Sequence, residues 1–289
     1  MNNISLYLAS VLIWGSTWLV ITFQFGKVAT EVSVFYRFAI ATAILLLFCV
    51  LRGLSLRYTK REHFYIALQG MFNFAPNYVM IYYAEQYVSS GLVALVFTAM
   101  IPINIIGARL FFGDAITRNV FTGAALGLLG IGLVFAPEMA QLSVAKNAAL
   151  GLVLSLAGAA CASAGNLFAV RNYRAGLPVI QCNALGMFYG TLAIGLFALA
   201  MGHEFNFEAT PKYVISLIYL SLFGTVFAFS AYMTLMKRIG AGRASYVAVL
   251  VPIVALLLST IFEHFTWHVT TVIGVALCIA GNALILAKR

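Results

Sequence analysis

Long apolar stretches alternate with short polar clusters along the whole chain. Each stretch is about as long as a helix needs to cross the hydrocarbon core of a bilayer, roughly 20 residues. The pattern predicts ten membrane-spanning helices, at 4–24, 32–51, 64–84, 88–110, 119–136, 148–169, 178–201, 212–235, 241–262 and 268–286. No Lys or Arg precedes the first stretch, which has full span length, and this favours a retained helix over a cleaved signal peptide.

The composition agrees with an all-α integral membrane protein. Of 289 residues, 63% are hydrophobic and only 9% are charged, and the mean hydropathy is +1.00. A soluble domain carries about 25% charged residues because water must solvate its surface, so we expect lipid to be the solvent for most of this surface. The four cysteines lie in apolar stretches without CxxC spacing, which indicates neither a disulfide framework nor a metal site.

The basic residues are distributed unevenly between the two sides of the predicted membrane. Connections that follow helices 2, 4, 6 and 8, together with the C-terminus, hold Arg52, Arg57, Lys60, Arg61, Arg109, Arg118, Arg171, Arg174, Lys237, Arg238, Arg243, Lys288 and Arg289. Lys and Arg are retained on the cytoplasmic side of a membrane, so both termini are predicted to be cytoplasmic in a multi-pass protein of the cell inner membrane. The net charge of +9 is therefore a topology signal, and nothing indicates nucleic-acid binding.

The second half of the chain repeats features of the first half in the same order. At a shift of 150 residues Tyr82 meets Tyr232 and Pro102 meets Pro252, and at a shift of 151 Gly123 meets Gly274 and Gly130 meets Gly281. Each unit contains five predicted helices, an odd number, so the second unit must insert upside down relative to the first. The predicted architecture is thus two inverted five-helix repeats, 1–136 and 148–289, joined by a periplasmic linker at 137–147, as in many secondary transporters.

Three sequence segments carry a resemblance to a known family: "LIWGSTWLV" in helix 1, and "GAALGLLGIGLVF" and "GVALCIAGNALIL" at the ends of the two repeats. With the five-plus-five layout, they resemble the drug/metabolite transporter superfamily, in particular its EamA-type branch and the aromatic amino-acid exporters. The resemblance implies a central cavity enclosed by the first four helices of each repeat, with helices 5 and 10 at the periphery. Helix 1 lacks the glutamate of the small multidrug-resistance branch, and no mid-span lysine matches the sugar-phosphate branch.

Helix 3 carries the most informative polar pattern. Gln69, Asn73 and Asn77 recur every four residues and therefore share one helix face. A polar stripe inside a membrane must face protein or water, so it is predicted either to line a cavity, which we favour, or to join helices by hydrogen bonds. Tyr78 and Tyr82 form the adjacent stripe, and Tyr78 lies too deep for the membrane interface, which favours the cavity for this ring.

Aromatic and amide residues on other helices are candidates for the same cavity. Trp14 and Trp18 lie four residues apart on helix 1, and Trp14 lies near mid-span, away from the interface where Trp is common. The two rings either stack on an aromatic ligand or pack against neighbouring helices. Asn166 on helix 6, which ends a run of small residues, and Tyr246 on helix 9 are further predicted cavity contacts.

One cation and three prolines lie well inside predicted spans. Arg37 in helix 2 either extends its side chain to the surface, near Glu31, or attracts a substrate carboxylate. Pro76, Pro102 and Pro252 free backbone carbonyls within their spans and are predicted hinges for gating.

These patterns together predict a transporter that exports small organic solutes, aromatic or other apolar amino acids, by alternating access. All eight acidic residues and all four histidines lie at span ends or in connections, so no catalytic dyad is assembled and no enzyme, cofactor or metal is expected. The same distribution favours facilitated diffusion, with a proton-coupled exporter as the alternative. A membrane receptor or scaffold is a third interpretation of the same patterns. The expected partners are a small-molecule substrate and membrane lipids, and the protein is expected to be a monomer or a homodimer.

Overall fold

The computed structural model describes residues 2–140, 145–239 and 247–286. These residues form helices and connections, and no strand occurs among them. The helices are α1 (Asn3–Thr22), α2 (Thr30–Leu51), α3 (Lys60–Phe74), α4 (Pro76–Ala84), α5 (Ser90–Phe97), α6 (Met100–Phe112), α7 (Arg118–Ala140), α8 (Ala145–Arg174), α9 (Val179–Ala200), α10 (Pro211–Ser221), a π-helical segment (Leu222–Phe227), α11 (Ala228–Ile239), α12 (Val247–Phe262) and α13 (Val269–Leu286).

Local sequence explains where several of these helices begin and end. Asn2 caps α1 by accepting a hydrogen bond from the backbone N–H of Ser5, and Thr59 and Glu62 form a reciprocal capping box at the start of α3. Pro211 occupies the first turn of α10, where its missing N–H costs no hydrogen bond. Gly113 ends α6 in the left-handed conformation that glycine adopts without strain.

Two predicted helices are interrupted next to a proline. The predicted helix at 64–84 divides into α3 and α4 at Ala75, immediately before Pro76, and the one at 88–110 divides at Thr98 and Ala99, before Pro102. Proline lacks the N–H that an α-helix needs and clashes with the carbonyl one turn earlier. By contrast, α12 continues through Pro252 without a break.

A third interruption has no proline. The predicted helix at 212–235 contains the π-helical segment between α10 and α11, in which Gly224 and Thr225 are buried. The Thr225 hydroxyl donates to the carbonyl of Leu220 at 2.9 Å, five residues earlier. Short π segments in α-helices are common at functional sites.

Seven helical stretches in the part of the chain that the structure describes are long and apolar enough to cross a membrane: Asn3–Thr22, Thr30–Leu51, Ser90–Phe112, Arg118–Pro137, Lys146–Arg174, Val179–Ala200 and Pro211–Tyr232. Two shorter apolar helices, Val247–Phe262 and Val269–Ile285, accompany them. Large apolar side chains face outward on these helices, including Leu51 (75% exposed), Leu110 (77%) and Phe121 (67%). Such an outer surface suits lipid. The number of ten spans and their division into two repeats remain predictions.

The helices α7 and α13 pack against each other through glycines. A Cβ on Gly123 would overlap the carbonyl of Gly281, and a Cβ on Gly130 would overlap the carbonyl of Gly274. Small residues let helix backbones approach closely, which is the usual way that helices associate in membranes.

The connections gather at two opposite ends of the helices. At one end, which we call the acidic end, the connections 23–29, 85–89, 201–210 and 263–268 lie near one another, joined by contacts such as that of the Glu208 carboxylate with the backbone N–H of Lys27 at 3.4 Å. At the other end, the basic end, Arg174 forms an ion pair with Asp114 at 2.7 Å. The Arg171 guanidinium lies 3.6 Å from the ring centre of Tyr65 at the same end.

Candidate functional site

One residue beside each of the three helix interruptions belongs to the main hydrophobic cluster of the molecule, which we call the centre. Ala75 from the α3–α4 break, Ala99 from the α5–α6 break and Val226 from the π segment belong to one hydrophobic cluster, which also contains Trp18 and Tyr78. Irregular backbone at membrane depth is tolerated only where protein covers it or a cavity solvates it. In transporters, interrupted helices commonly form the substrate site. This cluster therefore marks the candidate site.

Aromatic rings from the five helices α1 to α5 belong to this centre. Trp18 on α1 packs edge-on against Phe97 at the end of α5, with ring centres 5.4 Å apart. Phe38 on α2 lies 4.6 Å from Tyr78 and 5.4 Å from Phe74. Tyr78 and Trp18 are only partly buried. The structure thus brings together two of the aromatic residues that the sequence singles out, Trp18 and Tyr78.

Trp14 lies at the π segment. Its indole Nε1 donates a hydrogen bond to the carbonyl of Gly224 at 3.2 Å. Its ring packs against Phe229 and Tyr232, with ring centres 5.4 Å and 5.2 Å apart. The Trp14 indole therefore uses its Nε1 and its ring in contacts between helices.

Gln69 lies in a hydrogen-bonded group near the basic end that we call the amide network: Gln69, Asn172, Tyr173 and Asn183. The Gln69 amide is fully buried, donates to the Asn183 oxygen at 2.9 Å and accepts from the Asn172 nitrogen at 2.9 Å. The Tyr173 hydroxyl also donates to Asn183, at 3.3 Å. These bonds join α3, α8 and α9, which is the interhelical bonding that the sequence leaves as the alternative to cavity lining.

Asn73 and Asn77 face α8 on either side of the Pro76 break. The Asn77 side chain donates to the backbone carbonyl of Asn73 at 3.0 Å, which gives this carbonyl a partner beside the break. Asn73 lies against Gly165 and the Asn77 backbone against Gly158, so the small residues of α8 admit both. The Asn77 oxygen is buried without a hydrogen-bond partner.

The remaining predicted cavity contacts lie apart. The Asn166 amide donates to the Met100 sulfur at 3.4 Å, at the start of α6. Pro102 lies two residues after Met100 and is partly exposed. Tyr246 lies outside the described residues.

A second buried polar group lies between the centre and the acidic end. We call it the arginine cluster: Gln24, Arg37, Tyr82 and Glu85, all at most 6% exposed. Arg37 donates to the Tyr82 hydroxyl at 3.4 Å, and this hydroxyl donates to the Gln24 oxygen at 2.9 Å. The guanidinium also lies 4.8 Å from the ring centre of Tyr78, a cation–π contact. Arg37 thus stays buried and does not extend to the surface.

Glu85 follows α4 in the connection to α5 and is buried with neither carboxyl oxygen hydrogen-bonded. Burial and the neighbouring Glu263 carboxylate raise the pKa of Glu85 well above its usual range, although Arg37 lowers it. Glu263 itself accepts hydrogen bonds from Ser90, from the hydroxyl at 2.6 Å and from the backbone N–H at 3.2 Å.

A cavity of about 310 Å³ opens at the acidic end beside the arginine cluster. Glu31, Tyr83 and His203 line it, and the Tyr83 hydroxyl donates to Glu31 at 2.7 Å. The His203 Nε2 lies 3.4 Å from the other Glu31 oxygen. Phe25 also lines the cavity and packs edge-on against Tyr82, with ring centres 6.4 Å apart, so one ring separates the cavity from the cluster.

Sequence reasoning missed Gln24 and Glu85, and it named Glu31 only as a neighbour of Arg37, because each lies at the end of a span, where polar residues are ordinarily solvated. It also missed the π segment, which carries no proline signal. The charge of Glu85 one turn after Tyr82 is the only hint that the sequence offers. Among the described residues, no group of three or more His, Cys, Asp or Glu side chains has a geometry suited to a metal ion.

Comparisons with known proteins identify the family to which the chain belongs. The chain matches the EamA-like transporter family over residues 1–136 and 149–287. It is 29% identical over 254 residues to the uncharacterized inner membrane transporter YedA of Escherichia coli strain K12, covering 87% of this chain and 80% of YedA. It is 26% identical over 288 residues to the uncharacterized transporter YoaV of Bacillus subtilis strain 168, covering 96% and 95% of the two chains.

A solved structure, described only as the crystal structure of a protein, has the same fold. The TM-score is 0.68 and the match covers 96% of this chain and 94% of that one, at 16% sequence identity. At that identity the likeness concerns the fold alone. The family match confirms the resemblance to the EamA-type branch: this chain is a multi-pass membrane protein and belongs to the EamA-like transporter family.

Proposed function

We propose that this transporter carries aromatic or other apolar amino acids out of the cell by alternating access. The observation that carries the proposal is that one hydrophobic cluster contains residues from all three helix interruptions together with the Trp18 and Tyr78 rings, with the buried Arg37 beside Tyr78. Aromatic rings favour a solute with an apolar or aromatic side chain. The guanidinium offers a buried positive charge for a carboxylate.

The contacts between the two halves support an inverted-repeat mechanism. The glycines that match at a shift of 151 residues are the ones that approach each other: Gly123 lies against Gly281 and Gly130 against Gly274. A reciprocal pairing of this kind is expected when two equivalent helices cross about a pseudo-twofold axis. Two related halves around one central site give a transporter two equivalent conformations, one open to each side.

Facilitated diffusion is the proposed mode of transport. All eight acidic residues lie at the ends of predicted spans or in connections, so none is expected to face the solute and titrate in both conformations. Arg37 does not replace one, because arginine does not deprotonate in proteins. Proton-coupled export is the second candidate, and the buried carboxyl of Glu85 is the observation that favours it.

Flux measurements in proteoliposomes test both statements. We expect liposomes that contain only this protein to equilibrate a radiolabelled aromatic amino acid faster than empty liposomes, and faster than they equilibrate a nucleoside. An imposed pH gradient should not drive accumulation above equilibrium. Accumulation that an ionophore abolishes would establish coupling instead. No flux of any tested solute would leave a receptor or scaffold as the better reading.

The orientation of the chain is proposed to be both termini in the cytoplasm. Cysteine substitutions at Arg57, Arg118 and Arg174 should then be shielded from impermeant thiol reagents in intact cells, while a cysteine at His264 should react. Reaction of the Arg57→Cys variant from outside would reverse the proposed orientation, and with it the direction of export.

A further inference from the structure

Of the ten buried side-chain atoms without hydrogen-bond partners among the described residues, four lie in the arginine cluster. They are Gln24 Nε2, Arg37 Nε and both carboxyl oxygens of Glu85. Buried polar groups in folded proteins are nearly always hydrogen-bonded, so each exception calls for an explanation. Four such atoms in neighbouring side chains indicate that this part of the molecule does more than hold the helices together.

Among the members of the arginine cluster, Glu85 is the one whose burial most strongly determines its protonation state. An ionised carboxylate that leaves water without gaining hydrogen bonds or a close counter-ion loses several kcal/mol of solvation. Glu85 gains neither, because no ion pair within 4 Å joins it to Arg37. The neutral, protonated carboxyl avoids this loss.

The charged groups that face Glu85 act in opposite directions. Glu263, at the end of α12, opposes ionisation of Glu85, while Arg37 on α2 favours it. Both Glu263 oxygens accept hydrogen bonds from Ser90, whereas neither oxygen of Glu85 has a donor. A buried carboxyl without donors has nothing to stabilise its negative charge, so Glu85 favours the neutral form.

Two cavities lie at the acidic end near the arginine cluster: one of about 310 Å³ lined in part by Phe25, and one of about 340 Å³ lined in part by Ser89 and Glu263. The 310 Å³ cavity at the acidic end is separated from Tyr82 by the Phe25 ring. Toward the centre, Phe38, Tyr78 and Phe74 close the path with packed rings. A movement of Phe25 would therefore hydrate the cluster from the acidic end.

We propose that Glu85 is a proton-binding site that holds the acidic end closed. A proton from water at the acidic end binds the Glu85 carboxylate when this end closes, and it returns to water at the same end when the cluster becomes hydrated. The proton never crosses to the basic end, so transport becomes sensitive to pH without becoming proton-coupled. The link to transport rests on the proposed function, whereas the proton site does not.

The sign of the pH dependence follows from the raised pKa of Glu85 in the closed conformation. The closed conformation binds the proton more tightly than the hydrated one, so low pH favours closure. This preference is complete below the ordinary pKa of a glutamate, about 4.3, and is lost as the pH rises through the raised value. Closure at the acidic end should therefore weaken on the alkaline side.

Infrared difference spectroscopy on the purified full-length protein tests protonation without any solute. We expect the wild type at neutral pH to show the carbonyl stretch of a protonated carboxylic acid, and the Glu85→Gln variant to lack it. The Glu204→Gln variant is the matched control, because Glu204 is exposed at the same end. It should keep the band.

Two further variants keep the test decisive. If Glu85→Gln does not fold, Glu85→Asp should keep a carboxylic acid band but shift the pH at which it disappears. His203→Gln should leave the band unchanged, because His203 pairs with Glu31 instead. A wild-type spectrum without a protonated carboxyl at neutral pH, or a band that survives Glu85→Gln unaltered, would overturn the proposal. Absence of flux with the band present would reject only the proposed function.

Discussion

The amide network and the arginine cluster are two buried polar groups of similar size that differ in how completely their atoms are paired. In the amide network, Gln69 is fully buried and both ends of its amide are hydrogen-bonded. In the arginine cluster, Arg37 and Glu85 are equally inaccessible, yet three of their polar atoms have no partner. The two groups lie toward opposite ends of the helices.

This difference separates polar residues that hold helices together from polar residues that change state. A paired network stabilises one conformation, since opening it exposes every member at once. An incompletely paired cluster gains hydrogen bonds when water enters. The free-energy difference that favours its closed form over its hydrated form is therefore smaller than for a fully paired network. We therefore expect mutations in the amide network to change stability, and mutations in the arginine cluster to change gating.

The largest predicted effect is on the stability of the helix crossing beside the amide network. A Cβ on Gly70 of α3 would overlap the backbone of Gly186 on α9. Gly70→Ala should therefore cost at least the upper end of the roughly 1–3 kcal/mol that overpacking costs and sharply reduce the yield of monodisperse protein. Gly127→Ala, at a position with open space around it, should have no such effect. Equal yields of the two variants would contradict the observed helix crossing.

The next prediction compares one glutamine from each group. Gln69→Leu removes the hydrogen bonds to Asn172 and Asn183, each typically worth about 0.5–1.5 kcal/mol, while these two side chains keep their bonds to Tyr65 and Tyr173. Gln24→Leu breaks only the bond from Tyr82 and should lower the apparent unfolding temperature in detergent by less. The contrast between the groups fails if Gln24→Leu is the more destabilising change.

The next prediction concerns the contribution of the Tyr78 ring to solute affinity. This ring lies at the interrupted centre, next to Arg37 and Phe38. Loss of a stacking ring is worth about 0.5–1.5 kcal/mol beyond burial, so Tyr78→Ala should lower the apparent affinity for an aromatic amino acid several-fold in proteoliposome flux. Phe121→Ala, which removes an exposed ring from α7, is the control. Unchanged affinity in the Tyr78 variant would make this ring purely structural.

The smallest predicted effect concerns Trp14. Trp14→Phe removes the hydrogen bond to Gly224 but keeps an aromatic ring in place. Hydrogen bonds between membrane helices average about 0.6 kcal/mol, so the apparent unfolding temperature should fall slightly while solute affinity stays the same. A loss of affinity comparable to that of Tyr78→Ala would show that Trp14 contacts the solute.

The sequence predicts the helices better than their interruptions. The length of each apolar stretch identifies a helix because a helix needs about 20 apolar residues to cross the bilayer. Pro76 and Pro102 indicate two of the three breaks because proline removes a backbone hydrogen bond. The π segment at Gly224 carries no such signal. It depends on tertiary contacts from Thr17 and Trp14, more than 200 residues earlier in the chain.

The candidate site is predicted less completely, for a physical reason. The spacing of Gln69, Asn73 and Asn77 indicates a face that meets protein or water, but spacing does not distinguish a cavity from a paired network. That depends on partners such as Asn172 and Asn183, which lie on other helices. Glu85 was missed because its position in the chain suggests solvent, and only the packing of α4 against its neighbours buries it.

The most direct test of whether the arginine cluster and the amide network have different roles uses a single buried cysteine beside each of them. The measured quantity is the rate at which each cysteine reacts with a thiol reagent. Ala84 precedes Glu85 and Ala184 follows Asn183, and both are fully buried. In protein freed of its native cysteines and held in lipid nanodiscs, where both faces are accessible, Ala84→Cys should react steadily with a small thiol reagent as the acidic end opens. Ala184→Cys should stay unreactive over the same time. Equal rates at the two positions, or faster reaction at position 184, would contradict the division into a gating cluster and a structural network.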